Sequence, residues 1–140
     1  MKVFIDASLL IYLNIPLPEN EARVVDEFYR KLLDEELFTD VLVLDETICI
    51  SRKKYGVPYA ETIDFIDMAV LPYVSLLPIG GLEYHKAKIY IRRYNLKPSD
   101  ALHLAVMDNN GIATIATEDT DFDRTHIKRI WLSHQMETRS

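Results

Sequence analysis

Short apolar runs alternate along this chain with longer segments in which apolar residues recur at helical spacing. The runs over residues 2–5, 73–79 and 112–117 are β-prone and too short for helices. Between them, apolar positions three and four apart indicate helices that bury one face. Strands that alternate with helices predict an α/β fold with a mostly parallel central sheet.

Ordinary start and stop signals bound the predicted helices. The helical segments cover residues 9–13, 21–37, 41–54, 59–71, 82–94 and 100–109. Ser8 and Ser99 precede the first and the last of these segments and are predicted to be their N-caps. Thr39 and Asp40 interrupt the pattern after the second segment, and residues 127–132 are predicted to form a last, edge strand.

Length and composition limit the class of protein. The chain has 140 residues, 49% of them hydrophobic, which suits a single globular domain and excludes a disordered or fibrous protein. The first apolar run is broken at Asp6, and no stretch suits a membrane span, so we expect a cytoplasmic protein without a signal peptide. Cys49 is the only cysteine, which excludes an internal disulfide and a cysteine-rich zinc site.

Acidic residues stand where the predicted elements begin or end. Asp6 directly follows the first strand, and Asp119 follows the strand over residues 112–117. The carboxyl ends of parallel strands meet at one edge of a sheet, so these two side chains are expected to converge there. Asp100 lies in the first turn of its helix. Glu46 shares a helix face with apolar residues, where a carboxylate is unfavourable unless it is paired or bound to a cation.

Gathered carboxylates point to a hard divalent cation. Mg²⁺ and Mn²⁺ prefer oxygen ligands, and ions held by several acids activate a water and neutralise charge on a phosphodiester under attack. The expected chemistry is therefore phosphodiester hydrolysis. A single Asp after a strand is nevertheless more often a helix cap or a turn former, and Asp121 and Asp123 fit that structural role as well. Spacing alone leaves both interpretations open.

Four motifs occur in order along nearly the whole chain. They are Phe4-Ile5-Asp6-Ala7-Ser8, Glu46, Leu96-Lys97-Pro98-Ser99-Asp100-Ala101-Leu102-His103-Leu104-Ala105 and Thr117-Glu118-Asp119-Thr120-Asp121-Phe122. Together they resemble the motifs of the PIN-domain ribonucleases, especially the VapC-like toxins of toxin–antitoxin pairs. The resemblance implies that residues 1–140 form one nuclease domain, folded as a three-layer α/β/α sandwich around a mostly parallel sheet.

The resemblance also assigns roles to particular residues. The residues that it makes catalytic acids and metal ligands, for one or two Mg²⁺ or Mn²⁺ ions, are Asp6, Glu46, Asp100 and Asp119. It implies that Asp121 is an outer or second-metal ligand, and that Ser8 and Thr117 are hydroxyls that hydrogen-bond the carboxylates or metal waters. Asp45 adjoins Glu46, so a small rotation of that helix would make Asp45 the ligand instead.

The activity implied by the resemblance is cleavage of single-stranded RNA by an activated water, which leaves 3′-hydroxyl and 5′-phosphate ends. A homodimer and a small antitoxin protein whose tail fills the cleft are implied as well. Two other hypotheses stay open: a PIN-fold RNA-processing or non-catalytic assembly module, and a phosphatase or phosphoacceptor with a nucleophilic aspartate. The latter is disfavoured because no lysine stands at the end of the strand over residues 112–117 to neutralise phosphate.

Three further features have both a functional and a structural interpretation. His103 lies one helical turn from Asp100, close enough to be a ligand or a general base. A histidine in this position is more commonly a packed, hydrogen-bonded residue. Arg124, just beyond the acidic corner, is a candidate contact for substrate phosphate. The helix over residues 21–37 and its neighbour are expected to offer an apolar groove for an antitoxin helix.

The net charge of −6 argues against a general nucleic-acid binder, because such proteins are usually basic. Most of that charge, however, belongs to the five candidate metal ligands, and bound cations would offset it. We therefore expect RNA binding to depend on metal and on local basic patches rather than on net charge.

Overall fold

Residues 1–132 are described in the computed structural model of the chain. The strands and α-helices of this part are β1 (Lys2–Ile5), α1 (Ala7–Asn14), α2 (Glu19–Leu32), β2 (Glu36–Asp40), α3 (Val41–Tyr55), α4 (Tyr59–Phe65), β3 (Val74–Leu77), α5 (Gly81–Tyr94), α6 (Pro98–Asn109), β4 (Thr114–Ala116) and β5 (Lys128–Ile130). A π-helical turn, Ile66–Val70, continues α4, and a 3₁₀ turn, Thr120–Arg124, precedes β5.

The five strands form one sheet in the order β3-β2-β1-β4-β5, and every neighbouring pair is parallel. Helices α1 to α4 pack against one another, and α5 packs against α6. The chain is therefore the predicted three-layer α/β/α sandwich, with β5 at one edge of the sheet as expected. The strand order reverses at β1, which lies between β2 and β4, and a ligand crevice is expected outside the carboxyl ends of such strands.

The core is centred on β1 and α6. Val3, Phe4 and Ile5 are fully buried, as a central strand covered on both faces requires. Leu104 and Met107 of α6 are fully buried too. This packing fixes the two elements that carry Asp6 and Asp100 at their ends. Within residues 1–132, no helix is both long enough and apolar enough to cross a membrane.

The predicted helix over residues 21–37 is wrong at its end. Helix α2 stops at Leu32, and residues 36–40 form strand β2, which pairs with β1 on one side and with β3 on the other. Leu37 and Thr39 are buried in this strand. Pairing with two neighbours outweighs the helical spacing of this acidic segment, because strand preference depends strongly on tertiary context.

The predicted serine caps are wrong as well. Asp6 is the N-cap of α1, and its Oδ1 accepts a hydrogen bond from the backbone N–H of Ala7 at 2.8 Å. Helix α6 begins at Pro98, one residue before the predicted cap Ser99, and has no side-chain cap. Proline at the first helical position has no N–H to be capped and already has a helical φ. The predicted helical segment over residues 59–71 is confirmed as far as Val70, with α-helix as far as Phe65 and a π-helical turn after it.

Candidate metal centre

A cavity of about 400 Å³ opens at the carboxyl edge of β1 and β4. Its lining residues are Asp6, Ser8, Ile11, Tyr12, Glu46, Ile50, Lys54, Tyr55, Lys97, Ser99, Asp100, Thr117, Glu118 and Asp119. The four carboxylates expected to converge, from β1, α3, α6 and the segment after β4, therefore face one space. Asp6 and Asp119 are more than a hundred positions apart in the sequence, and the parallel sheet brings them together.

Thr117 joins the two strand ends. Its Oγ1 donates to Oδ2 of Asp6 at 2.7 Å and accepts from the backbone N–H of Asp119 at 3.1 Å. Asp119 in turn caps the 3₁₀ turn, because its Oδ1 accepts from the backbone N–H of Asp121 at 2.9 Å. One hydroxyl thus fixes the orientation of Asp6 and the backbone that carries Asp119.

Ser8 supports the same corner in a different way. Its Oγ accepts a hydrogen bond from the backbone N–H of Glu118 at 3.1 Å and lies 3.4 Å from Oγ1 of Thr117. Among the hydrogen bonds of the described residues, none joins Ser8 to a carboxylate. Ser8 therefore holds the loop after β4 against α1, and its contact with the acids runs through Thr117.

Helix α3 points Glu46, and not Asp45, into the cavity. Val43, Thr47 and Ser51 form the buried stripe of this helix, and Glu46 lies beside that stripe on the cavity side. Asp45 is exposed, does not line the cavity and accepts a weak hydrogen bond from Sγ of Cys49 at 3.8 Å. The geometry therefore favours Glu46 over its neighbour as the second acid.

Burial and the charges of neighbouring acids disfavour the charged forms of Asp100 and Glu46. Burial, together with the charges of Asp6 and Asp119, raises the pKa of Asp100 to about 7. Burial and the charge of Asp6 also raise the pKa of Glu46. Oδ2 of Asp100 is buried without a hydrogen-bond partner among residues 1–132. A divalent cation suits this donor set, because it would neutralise the charges and occupy the free oxygen.

Among residues 1–132, two groups of side chains have ligand atoms close enough to share an ion. The first is Asp6, Glu46 and His103, and the second is Asp100, Asp119 and Asp121. Within each group these atoms lie within 4.8 Å of one another. The second group contains only carboxylates, whereas the first contains an imidazole as well.

His103 is fully buried beneath the acids, and its main partner was not identified from the sequence. Its Nδ1 donates to Oδ2 of Asp40 at 2.6 Å, and its Nε2 lies 4.0 Å from Oδ1 of Asp6. Burial lowers the pKa of His103, but the hydrogen bond to Asp40 and the charges of Asp40, Asp6 and Asp100 outweigh it and raise the pKa to about 9. Asp40 is the last residue of β2, and the predicted helix over residues 21–37 hid this strand in the sequence.

Arg124 does not line the cavity. Its guanidinium donates to Oδ1 of Asp121 at 2.9 Å and to the backbone carbonyls of Tyr94 and Asn95, both at 3.1 Å. These bonds tie the 3₁₀ turn to the end of α5. The lysines that do line the cavity are Lys54 and Lys97, and both are exposed.

The sequence of the chain matches the model of one protein family. The family model of the PIN domain matches residues 3–128. The chain belongs to the PIN domain family. No curated protein matches it in sequence.

Solved structures similar to this PIN-domain chain share its fold at low identity. VapC20 of Mycobacterium tuberculosis, a sarcin-ricin loop cleaving toxin, has 18% identity and a TM-score of 0.70, covering 86% of this chain and 92% of that one. FitAcB of Neisseria gonorrhoeae has 16% identity and a TM-score of 0.72, and the match covers 94% of this chain and 99% of that one. A toxin–antitoxin complex from Klebsiella pneumoniae has 19% identity and a TM-score of 0.64, and the match covers 86% of this chain and 89% of that one.

The raised pKa of Asp100 predicts how stability changes with pH. The folded PIN domain binds this proton more tightly than the unfolded chain does, since the pKa rises from 3.8 to about 7. Stability from this group is therefore lost as pH rises through that range. In EDTA, we expect the free energy of unfolding of the wild type, measured by urea denaturation relative to Asp100→Asn, to fall between pH 4 and pH 7.

The exposed Asp45→Asn variant is the matched control and should keep the wild-type slope. Added Mg²⁺ at pH 8 should stabilise the wild type more than Asp100→Asn, because a ligand that binds only the folded state stabilises it. Parallel pH profiles for wild type and Asp100→Asn would contradict this account of the site.

Proposed function

We propose that this PIN-domain chain is a divalent-metal-dependent endoribonuclease and acts as the toxin of a toxin–antitoxin pair. The observation that carries the proposal is the convergence of four acids, Asp6, Glu46, Asp100 and Asp119, in one open cavity. Membership of the PIN domain family supports it. So does the fold shared with a sarcin-ricin loop cleaving toxin and with a toxin–antitoxin complex.

The chemistry divides between the ion and the protein. Mg²⁺ or Mn²⁺ would supply activation of the attacking water and neutralisation of charge on the phosphodiester. The protein's part is to hold the acids in place, through the Thr117 hydrogen bonds to Asp6 and Asp119, so that little reorganisation is needed during reaction. Lys54 and Lys97, on the wall of the cavity, would bind phosphates of a single-stranded RNA.

Glu46 and Asp45 form a matched pair for a test of this activity. We expect Glu46→Gln to lower the cleavage rate of single-stranded RNA in Mn²⁺ by at least about 100-fold, because it removes a charged ligand from the cavity. Asp45→Asn should cleave at the wild-type rate, since Asp45 lies outside the cavity. The measurement is the initial rate on a labelled RNA, with the ends of the products identified as 3′-hydroxyl and 5′-phosphate.

Purified wild-type protein that cleaves no RNA in either Mg²⁺ or Mn²⁺ would contradict the proposal and favour a non-catalytic assembly module. Equal rates for Glu46→Gln and wild type would instead remove Glu46 from the catalytic centre. Circular dichroism of each variant separates a lost activity from a lost fold.

An apolar groove beside the cavity suits the proposed antitoxin. The groove has a volume of about 350 Å³, and its lining residues are Tyr12, Leu17, Glu21, Val24, Val25, Glu118, Trp131 and Leu132. Tyr12 and Glu118 line the acidic cavity too, and they are hydrogen-bonded to each other at 2.6 Å. An amphipathic helix in the groove, followed by a basic tail, would therefore match the apolar and the acidic surfaces in turn.

We expect Leu17→Glu with Val24→Glu to weaken binding of the antitoxin, encoded beside this chain, by at least about 10-fold, since charges would be buried against its apolar face. RNA cleavage should continue at the wild-type rate. Leu82→Glu, at an exposed position on α5, is the control and should bind normally. Titration calorimetry measures the affinities, and unchanged affinity for the double variant would exclude this groove.

The remaining expectations belong to the same proposal. Residues 1–140 would form one nuclease domain, which acts on cytoplasmic RNA as a homodimer. Light scattering of the purified protein gives the oligomeric state directly, and a monomer at all concentrations would remove the dimer from the proposal.

A further inference from the structure

In the buried pair of His103 and Asp40, only one of the two ring nitrogens of His103 contacts Asp40. A carboxylate only accepts hydrogen bonds, so the 2.6 Å contact with Asp40 Oδ2 fixes Nδ1 of His103 as the donor. The other oxygen of Asp40 accepts from the backbone N–H of Val43 at 3.1 Å. Both partners are fully buried, so the ring orientation is set, and only Nε2 remains to interact with anything else.

This remaining nitrogen faces the acids. Nε2 is buried, has no hydrogen-bond partner among residues 1–132, and lies 4.0 Å from Oδ1 of Asp6. His103 also belongs to the group of possible metal ligands that includes Asp6 and Glu46. An unpaired buried polar atom is costly, so a position like this one calls for a ligand.

We propose that His103 is itself a metal ligand through Nε2 and that it forms, with Asp6 and Glu46, a mixed nitrogen–oxygen cation site. The inference rests on the proposed divalent-metal centre and deepens it. His103 would hold the ion through the lone pair of Nε2. A proton on Nε2 would have to leave to solvent first, while Nδ1 would keep its own proton and its hydrogen bond to Asp40. Asp40 acts through the histidine and is a positioning residue.

Two features of the geometry support direct ligation. Atoms that each lie about 2.1 Å from one ion are at most about 4.2 Å apart. Nε2 and Asp6 Oδ1 lie 4.0 Å apart, near that upper bound, and the ligand atoms of the whole group lie within 4.8 Å of one another, so the side chains would move slightly inward around an ion. Metal-binding histidines also donate their other N–H to a carboxylate or carbonyl, which fixes the tautomer and makes the ligating nitrogen more basic. Asp40 does this for His103.

A nitrogen ligand changes which ion the site prefers. Imidazole suits transition-metal ions, whereas Mg²⁺ prefers oxygen ligands and waters. The group of Asp100, Asp119 and Asp121 has only oxygen donors. The site of Asp6, Glu46 and His103 should therefore select Mn²⁺ over Mg²⁺, while the carboxylate group discriminates less between them.

The test is pulsed electron paramagnetic resonance of the Mn²⁺-loaded protein, which detects a directly bound imidazole nitrogen by its ¹⁴N coupling. The chain has four histidines. We would replace His85, His126 and His134 by Gln, singly and together, so that every one of these variants retains His103. We expect the wild type and all these variants to give the same nitrogen coupling, and His103→Gln to lose it.

Titration calorimetry provides a second measurement. His103→Gln should weaken Mn²⁺ binding by about 10- to 100-fold and change Mg²⁺ binding less. Bound Mn²⁺ without nitrogen coupling in the wild type would overturn the inference, and that result does not depend on whether His103→Gln folds. Coupling that disappears with another histidine would overturn it as well.

The outcomes separate this inference from the proposed nuclease. RNA cleavage together with all-oxygen Mn²⁺ coordination would reject His103 as a ligand and leave the nuclease standing. Nitrogen coupling without RNA cleavage would support the mixed site and reject the nuclease. Failure to bind Mn²⁺ at all would reject both.

Discussion

The repulsion among carboxylates gathered at one edge of the sheet is the constraint on which the rest of this structure depends. Asp6 and Asp100 are almost completely buried, and the raised pKa of Asp100 records the cost of charging it there. The fold offsets part of this cost with fixed hydrogen bonds, from Thr117 to Asp6 and from the backbone to Asp119. A bound cation would offset the remaining cost, and this is why we propose a metal site at this edge of the sheet.

The same strand–aspartate–helix unit occurs twice and serves two purposes. After β1, Asp6 caps α1 and points into the cavity, and after β2, Asp40 caps α3 and holds His103. The two units are neighbours in the sheet, so His103 of α6 is placed between their aspartates. Each aspartate therefore caps a helix locally and also places a side chain at the candidate metal site.

The sequence was sufficient to predict the α/β class and the approach of Asp6 to Asp119, because both follow from apolar spacing and from the common edge of parallel strands. The full set of four acids, with Glu46 in the middle of α3, came from the resemblance to the PIN-domain ribonucleases. It was misleading over residues 33–40, where strand β2 owes its existence to pairing partners distant in sequence. That error concealed Asp40 and, with it, the setting of His103. Arg124 was a reasonable phosphate contact from its position, but its guanidinium is bonded to Asp121 and to two backbone carbonyls outside the cavity, a tertiary arrangement that spacing does not encode.

We propose that the four acids at the carboxyl edge of β1 and β4 form a divalent-cation site, and anomalous diffraction from crystals of the wild-type protein soaked in Mn²⁺ can locate the ion. We expect a manganese peak inside the cavity, within bonding distance of carboxylate oxygens of Asp6, Asp100 or Asp119. Manganese peaks confined to the outer surface, with the cavity empty, would contradict it.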